Sequence, residues 1–166
     1  MHHQPDGAAF DVVLLLHVGC VVVGLVTTTT AATTATRLRR LVRASAPVPE
    51  PLRRYFRPGV NWAGRTIYGI PAFGFALLAM SQGAYALGDG WVLGGLALFV
   101  AVALLAEGVM WPAERRLQTA VDSAGTTGGP LPGAGAMEGD ATSMARAAGA
   151  ALVLLVVAVV VMIAQP

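Results

Sequence analysis

An imidazole, a thiol and a thioether are the side chains that hold soft metals and haem iron, and His17, Cys20 and Met80 supply one of each. Copper would use all three. Haem b in a helix bundle usually takes two axial histidines, but only His17 lies inside a long apolar run, so His17 with Met80 is the remaining pair. Two further readings compete with ligation. A buried neutral imidazole needs partners for its donor and its acceptor, and Gln82 or Ser81 can supply one as a structural hydrogen bond; the other reading is contact with a proton or a quinone. The structural bond is the preferred reading, so no cofactor is expected, with haem or copper as the alternative.

Glu107 is the one carboxylate deep within an apolar run, four residues before Trp111. Arg65 stands at the mouth of another run, at a similar expected depth, and a structural ion pair between them would offset much of the cost of burying either charge. Cys20 is the only cysteine, which excludes an intramolecular disulfide and a thiolate zinc cluster. No nucleophile-base-acid set, phosphate-binding Walker loop or zincin motif is present. The glycines from Gly133 to Gly139 follow no strand and make a poor nucleotide fingerprint. The expectation is a protein that is not an enzyme.

The elements that must position these residues are apolar. Of 166 residues 55% are hydrophobic and 12% charged, with a mean hydropathy of +0.66, which excludes an ordinary soluble domain. The runs 10–32, 66–87, 91–111 and 147–164 each have the ~18 to 23 residues that cross ~30 Å of hydrocarbon at ~1.5 Å per residue. Lacking period-2 alternation, they read as helices and not barrel strands. Pro71 removes the donor that the carbonyl of Ile67 would use, so a kink or late start is expected in the second run. His17, Cys20, Gly24, Thr27, Thr28 and Ala31 share one stripe of the first helix, read as a helix contact through small residues.

All 11 basic residues are arginine, which with the Ala, Val and Gly content points to a GC-rich coding bias and a bacterial source. Eight lie from Arg37 to Arg65 and three from Arg115 to Arg146, beside apolar runs, where membrane orientation explains them better than nucleic acid does. By the positive-inside rule that side is cytoplasmic. The expected fold is all-α: a bundle of four transmembrane helices with up-down topology in the bacterial plasma membrane, both termini outside. Its parts are an outer tail (1–9), a three-helix core (10–118) with an Arg-rich cytoplasmic loop (33–65), a flexible Gly/Ala/Pro-rich cytoplasmic linker (119–146) and a fourth transmembrane helix (147–166). The turn Gly88-Asp89-Gly90 makes the second and third helices antiparallel neighbours, and Leu52 to Phe56 could lie on the membrane surface.

Leu16-His17, the Arg-rich loop, Gly-Asp-Gly-Trp91, Trp111-Pro112 and Arg115-Arg116-Leu117 resemble a family of uncharacterised bacterial four-helix membrane proteins, distantly similar to the copper-resistance D membrane domain. The resemblance covers most of 10–118. It implies the four-helix architecture and sets His17 at the family's histidine position, with no established reaction; the long linker before the fourth helix departs from the pattern. The expected function is that of a small non-enzymatic membrane protein, an accessory or interaction subunit of a larger membrane complex. Its expected partners are the lipid bilayer and either other membrane subunits or further copies of itself. The alternatives are metal or haem handling at His17, or a small oligomeric transporter lined by Glu107 and Arg65.

Overall fold

In the computed structural model, which describes residues 7–127 and 133–164, the secondary structure is helical throughout. The order is α1 (Ala8–Arg43), α2 (Glu50–Tyr55), α3 (Trp62–Arg65), a 3-10 turn (Thr66–Tyr68), α4 (Gly69–Met80), α5 (Gly90–Leu105), a π-helical turn (Ala106–Met110), α6 (Trp111–Thr127) and α7 (Ala134–Ile163). Among the described residues four stretches are long and apolar enough to cross a membrane: Ala8–Arg43, Trp62–Met80, Gly90–Ala124 and Ala134–Ile163. The chain is thus an all-α, candidate multi-pass membrane protein. Most of the expected outer tail, and 128–132 of the expected linker, lie outside the described residues.

Three boundaries differ from the sequence expectation. First, α1 continues through the expected loop to Arg43, because Ala35, Leu38 and Val42 carry its buried face onward from Thr28 and Ala31 at alternating spacings of three and four. The threonines on the way are no obstacle, since the hydroxyls of Thr33, Thr34 and Thr36 donate to carbonyls four residues back, at 2.9, 2.6 and 2.7 Å. The helix stops at a Schellman turn. Ser45 takes φ 49°, Ala46 N–H donates to the Leu41 carbonyl at 3.0 Å, and Ser45 N–H donates to Val42 at 3.1 Å.

Second, the helix expected to reach residue 87 ends at Met80, because Gln82 (φ 51°) and Gly83 (φ 87°) both turn left-handed. The connection to α5 is therefore longer than Gly88-Asp89-Gly90. Its entry is the irregular part as expected: Pro71 falls in the first turn of α4, where its missing N–H costs little, and the 3-10 turn precedes it.

Third, the stretch expected as a flexible linker is helical over 119–127 and 134–146. Its composition looked featureless, yet Met137, Ala141, Met144, Ala148 and Ala151 repeat every four and three residues and are all buried. Alanine, the best helix former, fills much of the rest.

The chain divides into two compact units. One comprises the chain up to Thr27, Asn61–Val102 and the chain from Val153. Glycines hold its helices close: Gly24 faces Ile67 and Ile70, Gly69 faces Cys20, Gly74 faces His17, and Gly95 faces Met162. Contact order reverses between α1 and α4, so these stretches run in opposite directions. Tyr68 and Phe99 meet edge-on at 6.3 Å, as do Tyr85 and Trp91 at 5.4 Å. Apart from Val60, Leu104 and Val109, the strongly exposed large apolar side chains among the described residues all belong to this unit.

The other unit comprises Thr28–Val60 and Ala103–Leu152. Its core is built from the buried faces of α1 and α7 given above, a third on α6 (Ala113, Leu117, Val121), and Leu52 and Phe56 of the α2 segment. Leu52 and Phe56 face the protein interior and not a membrane surface. At the rim, Arg43 Nε donates to Glu138 at 2.6 Å and Arg116 Nε to Asp140 at 2.8 Å, tying α7 to α1 and α6. The π turn has a local cause. Pro112 cannot donate to the carbonyl of Gly108 and its ring would press on it, so the backbone widens and Trp111 N–H donates to Ala106, five residues back. The extra residue lets Val102, Ala106 and Met110, before the proline, and Ala113, after it, all stay buried.

Candidate functional site

His17 and Cys20 sit three residues apart on one face of α1, against the start of α4. The His17 Nδ1–H donates to the carbonyl of Ile70 at 2.9 Å. A carbonyl only accepts, so Nδ1 carries the hydrogen, and in the neutral ring Nε2 keeps its lone pair. Gly74 makes room for the ring, its absent Cβ lying 3.4 Å from His17 Cε1. One turn away, a Cβ on Gly69 would overlap the Cys20 sulfur. The two chemically capable side chains thus serve the closest approach of two helices, one by a hydrogen bond and one by filling the notch of a glycine.

Met80 and Gln82 stand apart from this pair. Six residues, roughly 9 Å of helical rise, separate Gly74 from Met80, and Gln82 is exposed in the turn beyond it. The partner expected from Gln82 or Ser81 is instead the Ile70 carbonyl, because His17 packs against the first turns of α4. Ser81 is buried in its own turn, donating to Leu78 O at 2.7 Å and accepting from Tyr85 N–H at 3.4 Å. A bis-axial haem or a His-Cys-Met copper site needs its ligands at one level, whereas helical rise sets Met80 roughly 9 Å from the level of Gly74, where His17 packs. Among the described residues no three His, Cys, Asp or Glu side chains converge. Glu107 lies exposed in the π turn, and Arg65 closes α3 half-buried.

A polar cluster that sequence reasoning missed lies in the unit with the α6 core. Glu114 and Gln118 are 5% and 7% exposed, one turn apart on α6. Gln118 Nε2 donates to the Gly59 carbonyl at 3.3 Å. The Tyr55 hydroxyl is buried near Glu114 and Thr34, without full hydrogen-bond geometry to either. Burial first, and then the Glu114 charge, push its ionisation above the usual tyrosine range, against a smaller opposing effect of Thr34. The available signal was the period of Ala113, Leu117 and Val121, which sets Glu114 and Gln118 on the edge of the same face.

Neither family models, nor curated proteins, nor solved structures give a match to this chain.

Proposed function

We propose that this chain is a non-enzymatic multi-pass membrane protein that acts by helix packing, as an accessory subunit of a larger membrane complex. The observation that carries the reading is the apolar exterior of the glycine-packed unit. Leu15, Val26, Phe75, Leu93, Val153 and Val160 are among its exposed side chains, a surface that only lipid or partner helices can cover in a stable state. The close backbone approaches at Gly24, Gly69 and Gly74 are the packing mode expected where lipid removes the hydrophobic drive between helices. The arginine distribution supports an up-down bundle with both termini outside and the arginine-bearing segments in the cytoplasm of a bacterial cell.

Affinity purification from native membranes through a C-terminal tag, followed by native mass spectrometry in mild detergent, tests the proposal. Reproducible stoichiometric complexes with other membrane subunits are expected. A compact monomer that dissolves without detergent would defeat it. Absorption near the Soret region, or stoichiometric copper that disappears in His17→Ala, would instead favour the ligand-handling alternative.

A further inference from the structure

Ten of the eleven arginines belong to the unit with the α6 core. Arg43 and Arg116 are held by Glu138 and Asp140, and Arg54 by Glu50 at 3.6 Å. Glu138 and Asp140 lie nine and seven residues before the apolar run that opens at Ala147, about 14 and 11 Å along α7. Closer to the apolar runs stand Arg37, five residues after Ala32; Arg115, four after Trp111; and Arg146, next to Ala147. All three are exposed, and among the described residues none has an ion-pair partner; Arg39, Arg40, Arg53 and Arg57 have none either, but they lie at least seven residues from a run. By helical rise they fall within about 8 Å of the run ends, and a headgroup layer is roughly 5 to 8 Å deep on each face of a bilayer.

We infer that Arg37, Arg115 and Arg146 form a docking belt for the phosphates of anionic phospholipids. The inference rests on the membrane reading above and adds the class of lipid. Three guanidinium groups, on three helices of one unit, reach the depth of the phosphates without a carboxylate partner, whereas Arg116, at a similar depth, is held by Asp140. A guanidinium offers paired N–H donors that match phosphate oxygens, and it is weakly enough hydrated to exchange water for them. Lipid is favoured over an acidic protein or a nucleic acid because these three guanidinium groups stand within the depth of the headgroup layer.

Native mass spectrometry of the full chain in detergent, with equimolar phosphatidylglycerol and phosphatidylcholine, reads the preference directly. Phosphatidylglycerol adducts should predominate, and each of Arg37→Gln, Arg115→Gln and Arg146→Gln should reduce the ratio by about fivefold or less. The triple glutamine variant should lower it further than any single change, whereas Arg43→Gln with Arg116→Gln should leave it largely intact. If the triple variant loses helicity by circular dichroism, the three single variants decide. Equal retention of both lipids by the wild type, an unchanged ratio in the arginine variants, or displacement of phosphatidylglycerol by millimolar inorganic phosphate would overturn the inference. A chain that needs detergent yet shows no lipid preference defeats only this inference; a chain soluble without detergent defeats the membrane reading as well.

Discussion

Gly69 and Cys20 approach so closely that the smallest added side chain has no room. Gly69→Ala gains helix propensity worth up to ~1 kcal/mol but forces an overpacked contact that costs about 1 to 3 kcal/mol, so the variant should lose stability. Removing the sulfur with Cys20→Ala should make the same glycine change neutral or favourable. Reversible unfolding in mixed micelles, run as a double-mutant cycle, measures the coupling, and additive effects would contradict the contact. Tyr55 gives a second test at this scale. Its folded ionisation lies above the unfolded value near 10, so the folded state holds a proton that the unfolded state releases. That contribution is fully present below about pH 10 and is lost as the pH rises further. Wild type should therefore lose stability in alkali more steeply than Tyr55→Phe, and the variant should lack the latest component of the tyrosinate absorbance titration.

Buried faces of the helices decide which substitutions matter at the next scale. Met144 is fully buried on α7, whereas Val157 is 42% exposed on the same helix. Met144→Ala should cost about 2 to 5 kcal/mol, and Val157→Ala should stay within about 0.5 kcal/mol; similar losses would mean that the helix presents another face to its neighbours. The apolar runs were legible in the sequence because each is long and nearly free of charge, a signal that needs no knowledge of packing. Where the helices end was not. Thr33 to Thr36 and the alanines and glycines before Ala147 look like loop in composition, while the alternating three- and four-residue period that makes them helical is carried by small residues such as Ala35 and Ala141. The early end of α4 depends on left-handed turns at Gln82 and Gly83, and a glutamine gives no warning of one. His17 was recognisable as the residue to watch, while its partner, a backbone carbonyl with no side-chain signature, was not.

At the scale of the whole chain, orientation is the property most open to direct measurement. In a Cys20→Ala background, cysteines placed at Gly7 and at Ser123, both exposed, should label from opposite sides of intact cells; equal labelling by an impermeant reagent would contradict the arrangement. The threonines of α1 bear on how firmly such a chain is fixed in depth. Thr27, Thr33, Thr34 and Thr36 donate their hydroxyls to the helix that carries them, so this stretch asks for no water and still offers less grease than valine or leucine. A segment so indifferent to its surroundings blurs the waterline. If lipid thins or swells by a few ångström, the mismatch can be taken up by letting these residues pass in or out of the oil, where a sharply bounded span would have to tilt or deform the sheet around it.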